Sequence, residues 1–393
     1  MACLLCKSNN VKRIDKLCDN MKILGDTFPD TPSYINVCNC CGLVYIDMDI
    51  SQKDILHYYT SGNCVPICYE NLFGAEHTKK YFEHIYHTIE PYIDFDSKIL
   101  DVGGGLGEFA SFLKNLGYHN ITIMDPAQIS IESAAKKGID TVKADSTQLI
   151  EAWTGKFDLI LLIHVFEHIY AQNETLNNLK KMLKTDGMMY LEVPDASKYC
   201  NDENVPFYYY TYEHIAHMNQ FDIRNISCLT GMELLDTQEY LKCEQYPSVY
   251  GLYKNGDKIK QAVYHDLGED CAQAYLELCK TRSRKMTQKY CEKNESLVLW
   301  GIGASTAQLL SSGFDRCNVC ELVDSNPRRQ GMEYQVGTKK MKIISPSELQ
   351  ARIKKDDVIV VMSIMYKNSI IKQIKEMGFS NKIEALSKED MLA

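Results

Sequence analysis

Two cysteine pairs, Cys3 with Cys6 and Cys38 with Cys41, each keep a gap of two residues. Thiolates so spaced close a tetrahedral zinc site, and four soft ligands leave no position for water, so the expected Zn2+ is structural. The run CNCCG also offers Cys40, but only Cys38 with Cys41 preserves the gap. A second group lies in ILDVGGGLGEF, where a short apolar run enters Gly103, Gly104, Gly105 and Gly107 before a helical pattern. Missing side chains let a ligand approach the backbone, and the N–H groups of the helix start face it. Asp101 precedes these glycines. Asp125 follows Gly105 by twenty residues at the end of the next apolar run, where a carboxylate bonds ribose hydroxyls, and Asp145 in VKADSTQL is placed to accept from an adenine amino group. A third group is imidazole-rich: His164, Glu167 and His168 in HVFEHI, then Glu213-His214 closing FYYYTYEH. The plainer alternatives are buried reduced thiols, capping carboxylates and aromatic core packing.

These residues need elements to hold them. The runs KILDV, NITIMD, FDLILLI and GMMYLEVP alternate with EFASFLKNLG, AQISIESAAKKG and TLNNLKKMLKTDG, the pattern of a parallel sheet covered by helices. The alternation resumes in SLVLWGIGAS, VCELVDSNP and DVIVVMS, and a polar stretch from Lys280 to Glu295 predicts a long helix or connector. Half of the sixteen cysteines fall at or before Cys68, which marks a small separate module. The expected domains are a zinc-binding module over 1–70, a central α/β domain over 71–230, a connector over 231–295 and a second Rossmann-like α/β domain over 296–393. With 43 Lys plus Arg against 52 Asp plus Glu, the net charge of −9 disfavours nucleic acid and anionic membranes as partners and favours a small molecule. Sixteen cysteines without an export signal or an apolar span point to the cytoplasm.

In order, DVGGGLG, MDP, KADS, FDLILLIHVFEHI and GMMYLEVP resemble the motif series of class I S-adenosylmethionine-dependent methyltransferases. A dehydrogenase also offers glycines and a distal acid, but the acid before the glycines and the VFEHI segment fit a methyltransferase better. With CxxC…CxxCGLVY before this series and GIGAS and VDSNP after it, nearly the whole chain is similar to the three-part sugar C-methyltransferases that act on nucleotide-linked ketosugars.

That resemblance implies S-adenosylmethionine as cofactor, a nucleotide sugar as substrate, and α-proton abstraction followed by methyl transfer to carbon. It places the general base in a Tyr-x-Glu-His motif, matched here by Glu213 and His214, with His214 the base and Glu213 its orienting partner or a substrate ligand. The motif tyrosine falls on Thr211, so Tyr210 or Tyr212 supplies the phenol. It also brings His168 to the transfer site and His164 to the cofactor pocket. Tyr58 and Tyr59 match a tyrosine-rich segment entering the active site; Tyr59 is the candidate taken forward, and which of the two points inward stays open. The four-residue spacing of His164 and His168 also suits a zinc pair, although no HExxH order accompanies it.

In the C-terminal unit, Gly301, Gly303 and Asp324 form a partial dinucleotide fingerprint with Thr306 where a small residue is needed; the resemblance assigns the unit to nucleotide-sugar binding or an interface rather than NAD. Arg328, Arg329, Lys339 and Lys340 are placed to neutralise phosphate or simply to be solvated. The alternatives are an O-methyltransferase, a C-methyltransferase of a non-sugar compound, and a catalytically silent zinc-anchored nucleotide-sugar-binding protein.

Overall fold

The computed structural model describes residues 2–18, 31–61, 66–201, 206–363 and 366–386. The chain divides into two compact units, one of Met1–Ile14, Ile35–Tyr199 and Glu213–Cys271, the other of Asp15–Tyr34, Cys200–Tyr212 and Ala272–Ala393.

The N-terminal strands β1 (Val11–Cys18), β2 (Ser33–Cys38) and β3 (Val44–Asp47) form a four-stranded sheet with the two-residue strand β9 (Ala216–His217), in the order β1-β2-β3-β9. Helix α1 (Gln52–Thr60) follows, opened by Ser51 and Asp54 in a reciprocal cap.

The larger sheet is built from β4 (Ile99–Val102), β5 (Ile121–Asp125), β6 (Asp140–Lys143), β7 (Phe157–Ile163), β8 (Leu183–Pro194), β10 (Glu233–Lys242) and β11 (Tyr246–Lys254), in the order β10-β11-β8-β7-β4-β5-β6. Strands β6, β5, β4, β7 and β8 pair in parallel, and β11 runs antiparallel between β8 and β10. Central strands covered on both faces read as unbroken apolar runs, as FDLILLI does in β7, whereas the edge strand β6 is the polar DTVK. An antiparallel strand inserted next to the last position of an otherwise parallel sheet is the strand order of the class I methyltransferase fold.

Helices α2 (Tyr69–Phe73), α3 (Ala75–Ile89), α4 (Glu108–Asn115), α5 (Gln128–Lys136), α6 (Gln172–Met182) and α7 (Gln220–Thr230) belong to this unit. In α3, Thr78, Tyr81, Phe82, Ile85 and Ile89 recur at helical spacing and are buried, and the apolar members join Phe109, Leu113, Tyr190 and Tyr250 in one core. Two expectations change here. The pattern TLNNLKKMLKTDG predicts a helix reaching Gly187, but α6 stops at Met182 and β8 starts at Leu183, because Leu183 pairs with Phe157 ahead of a bulge in the β7–β8 ladder. The stretch after Thr230, expected as connector, supplies β10 and β11 to the sheet, and the polar segment near Lys280 lies in the long helix α8 (Leu267–Lys293).

The second unit has a six-stranded sheet of β12 (Leu297–Trp300), β13 (Val319–Val323), β14 (Glu333–Val336), β15 (Lys339–Ile344), β16 (Val358–Val361) and β17 (Ile383–Ala385), in the order β14-β15-β13-β12-β16-β17. All neighbours pair in parallel except β14 with β15. With α9 (Ala304–Ser311), α10 (Pro346–Gln350) and α11 (Lys367–Glu376) as crossovers it is a doubly wound α/β unit.

Candidate functional site

The four cysteine thiols converge. Sγ atoms of Cys3 and Cys41 lie 3.6 Å apart and those of Cys6 and Cys38 3.5 Å apart, and all four lie within 4.8 Å of one another. Zinc–sulfur bonds of about 2.3 Å in a tetrahedron put the sulfurs about 3.8 Å apart, so these side chains fit a structural zinc ion. Cys40 is exposed and its sulfur sits 3.0 Å from the Ser8 hydroxyl. Gly42 turns the chain after Cys41 at φ +82°, where the carbonyl of Cys38 accepts from its N–H. Behind the knuckle, the Asn225 amide donates to the Cys41 carbonyl at 3.1 Å and His265 lies against Gly42.

Strand β4 delivers the glycine loop to the C-terminal edge of the parallel sheet. Gly103, Gly105 and Gly107 all have positive φ, so the loop needs residues without a Cβ penalty. Gly103 and Gly104 are equally tight in space: a Cβ would stand 2.6 Å from the Val165 side chain at the first and 2.6 Å from the Asp101 carboxylate at the second. Asp101 is buried, and desolvation, followed by the nearby Asp125 charge, raises its pKa to about 7. Asp125 ends β5 and fastens the loop: its Oδ2 accepts from Gly105 N–H at 3.2 Å and its Oδ1 from Ala127 N–H at 2.8 Å. With the Ser130 hydroxyl also bonded to it, the carboxylate keeps one lone pair for a ribose hydroxyl. Asp145 accepts from the Thr147 hydroxyl at 2.8 Å and the Thr147 N–H at 3.2 Å. A side-chain-free cradle bordered by two carboxylates fits the glycine-loop, ribose and adenine contacts of a nucleoside cofactor; Gly103 to Gly107, Asp125 and Asp145 would hold it.

Next to this loop the end of β7 opens a chain of titratable side chains. His164 sits at φ +53°, a conformation that costs a non-glycine residue about 1 kcal/mol or more and is retained where the surroundings enforce it. Its Nε2 is 2.8 Å from Glu192 Oε1 and its Nδ1 3.3 Å from Glu167 Oε1. Glu192, fully buried at the end of β8, also accepts from the hydroxyls of Tyr81 at 2.8 Å, Tyr190 at 2.6 Å and Tyr240 at 2.5 Å. Burial alone would raise Glu192, but the His164 bond and the tyrosine hydroxyls hold it down to about 2. Glu167, also buried, would rise by desolvation, but His168 and then His164 pull it to about 2.

His168 Nδ1 donates to the Glu213 carbonyl at 2.7 Å and lies 3.0 Å from the Tyr59 hydroxyl, while its Nε2 faces Glu167 at 3.7 Å. The His214 ring stands edge-on to His168 at 4.8 Å between centroids. It is only half-buried by surface, yet loss of hydration, followed by the neighbouring His168, pushes its pKa well below the ordinary value. The backbone beyond it is clamped on both sides: Ile215 N–H donates to the Glu167 carbonyl and the Ile215 carbonyl accepts from Ile46 N–H, each at 2.8 Å. Glu213 accepts from the Tyr58 hydroxyl. Tyr58 and Tyr59 therefore both reach site residues, one on Glu213 and one on His168. Ligand atoms of Glu167, His168 and His214 lie within 4.8 Å of one another, close enough to share a proton or a divalent cation.

The sequence thus brings His214, Glu213, His168, His164 and Tyr59 together in the first unit, beside Asp101, the glycines, Asp125 and Asp145 on the same sheet edge. Tyr210 and Tyr212 are buried residues of the second unit, where Tyr210 packs edge-on against Tyr275 at 5.1 Å and its carbonyl accepts from Gln308. Sequence analysis missed Glu192 and its tyrosine partners; a glutamate inside the apolar run MMYLEVP is the one signal that pointed to them. In the second unit the partial fingerprint closes on itself: Asp324 accepts from Ile302 N–H at 2.8 Å and pairs with Arg329 at 3.2 Å, and the Thr306 hydroxyl donates to the Gly301 carbonyl. Arg328, Lys339 and Lys340 are exposed.

A protein-family model described as "Methyltransferase domain" matches residues 75–235. Among curated proteins, the ubiquinone biosynthesis O-methyltransferase of Caulobacter vibrioides is 31% identical over 99 residues, covering 24% of this chain and 39% of that protein. A Caulobacter sp. protein of the same description is 30% identical over 98 residues, 23% of this chain and 38% of that protein. The chain therefore spans about two fifths of the length of these relatives. Among solved structures, the 1,6-didemethyltoxoflavin-N1-methyltransferase of Burkholderia thailandensis, with bound 1,6-didemethyltoxoflavin and S-adenosylhomocysteine, is 12% identical over 55% of this chain and 96% of that one, with a TM-score of 0.40. A SAM-dependent methyltransferase from Archaeoglobus fulgidus is 16% identical over 47% of this chain and 97% of that one, with a TM-score of 0.38. No helix among the described residues is long and apolar enough to cross a membrane. The family match falls on residues 75–235, and the sheet that holds them, completed by β10 and β11 as far as Lys254, has the class I strand order.

Proposed function

We propose that the protein is an S-adenosylmethionine-dependent C-methyltransferase acting on a nucleotide-linked ketosugar, anchored by a structural zinc ion on Cys3, Cys6, Cys38 and Cys41, with domains near 1–70, 71–230 and 296–393. The observation that carries it is His214, a neutral imidazole set against His168 and the buried Glu167 on the edge that bears the glycine loop. S-adenosylmethionine, when bound, supplies an electrophilic methyl group on sulfur. Carbon becomes its nucleophile only if a base removes the proton beside a ketone. His214 takes that proton, and Glu167, ionised and adjacent, stabilises the imidazolium that results. Glu213, held by Tyr58, and His168, held by the Glu213 carbonyl and Tyr59, fix the walls around it. His164 lines the cofactor side.

The test is incubation with S-adenosylmethionine and nucleotide-linked ketosugars, with the product read by NMR for a new carbon–carbon bond. His214→Asn is expected to abolish turnover while S-adenosylhomocysteine binds within about twofold of wild type; equal loss of both removes His214 from the role of base. A second reading, methyl transfer to oxygen, is favoured by the description of the Caulobacter relatives and by the Glu167, His168 and His214 cluster, which would hold an oxygen nucleophile on a divalent cation. An O-methyl product and a second metal per chain select it.

A further inference from the structure

Lys242 ends β10, and because β10 and β8 both run antiparallel to β11, it reaches the same sheet edge as Glu192 and the glycine loop. The next two residues, Cys243 and Glu244, both have positive φ, at 50° and 59°, so a strained turn without glycine sets the lysine opposite Tyr246. Its side chain is buried, only 7% exposed. The ammonium lies 4.7 Å from the ring centre of Tyr246, 5.5 Å from Tyr69, 5.8 Å from Phe73 and 6.0 Å from Tyr81. Among the described residues it makes no hydrogen bond or ion pair.

Aromatic faces attract a cation but satisfy none of its three N–H donors well. The buried carboxylate that acts on it most strongly, Glu192, has no vacancy: one oxygen takes His164 and Tyr81, the other Tyr190 and Tyr240. The other groups acting on Lys242 are the Cys243 thiol and Glu167, whose Oε1 faces two histidines and whose Oε2 has no hydrogen-bond partner among the described residues, and Glu167 lies beyond ion-pair distance of the lysine. The box also touches the donor cradle through Tyr69, whose N–H donates to Glu108, the residue after Gly107, at 3.0 Å.

We propose that Lys242 is an anion anchor of the transferase site, donating hydrogen bonds to a carboxylate or similar oxyanion carried in by a ligand. This rests on the methyltransferase reading. Two ligands bring such a group to this edge: the donor, through its amino-acid tail, and an acceptor bearing an acid.

Calorimetry with S-adenosylhomocysteine and with 5′-methylthioadenosine, which lacks the amino-acid tail, on wild type and Lys242→Met separates them. A loss of tenfold or more for the first with the second unchanged assigns the anchor to the donor. The second arm uses the wild-type protein saturated with methylthioadenosine, so it does not depend on a variant folding. Slower modification of Lys242 by trinitrobenzenesulfonate in millimolar acetate or phosphate, read by peptide mass, assigns it to the acceptor. Equal weakening of both nucleosides, or an unchanged S-adenosylhomocysteine affinity together with no protection by either anion, overturns the anchor while leaving the transferase intact. Failure of wild type to bind either nucleoside overturns both.

Discussion

Replacing Glu192 by Gln keeps the volume of a fully buried side chain and removes its charge. It also turns one oxygen that accepts two hydrogen bonds into an amide that donates two. If the amide faces Tyr190 and Tyr240, their hydroxyls can rotate to accept, and what is lost is mainly the charge assistance of the four bonds. Holding this carboxyl at about 2 rather than at 4.5 is worth about 3 kcal/mol of stability. Charge-assisted bonds that become neutral lose roughly 1 kcal/mol each, giving the same order.

The sign is fixed by the direction of the shift. A carboxyl depressed in the folded state stabilises fully above pH 4.5, and that contribution drains away as pH falls toward 2. Glu192→Gln is therefore expected to destabilise the first unit by about 3 kcal/mol at pH 7, with the gap to wild type narrowing by about 1 kcal/mol at pH 4. Each unit carries one of the two tryptophans, Trp153 in the first and Trp300 in the second, so urea unfolding followed by fluorescence in a Trp300→Phe background reports the first unit. A loss below about 1 kcal/mol, or a gap identical at pH 4 and pH 7, would refute the hub assigned to Glu192.

Asp125→Asn should weaken S-adenosylhomocysteine binding by roughly 10- to 100-fold, since it disturbs both the Gly105 bond and the ribose contacts; calorimetry showing less than a threefold change would sink the ribose assignment. Chelation that strips metal from the cysteine cluster, verified by elemental analysis, should lower the melting temperature of the first unit; unchanged melting after metal loss counts against a structural ion.

Much of the donor half was legible in the sequence because it is local. Gly103 to Gly107, Asp125 and Asp145 lie at or just after three successive strand ends, and apolar runs announce the first two of those strands, β4 and β5. The carboxylate hub at Glu192 is assembled from distant residues. Glu192 meets Tyr81 from α3 and Tyr240 from β10, a pairing that no spacing rule encodes. Strands β10 and β11 were hidden for a related reason: β10 is a half-exposed edge strand whose side chains alternate too weakly to stand out from a linker. The helix α6 ended early because ladder pairing at Leu183 outweighed the helical pattern that continued through Lys184.

The pairing of β3 with β9 links two parts of the molecule that are far apart in the chain. Val44 lies three residues after Cys41, and it and Tyr45 ladder with His217 and Ala216, a pair that begins two residues beyond His214. A slip of one position in that ladder would turn every side chain on β9 to the opposite face. The cysteine knuckle is thus the ruler against which the imidazole is registered, and a chain shortened to begin after residue 70 would lose that register together with Tyr58 and Tyr59, and with them the proposed methyl transfer, even where the central sheet still folded.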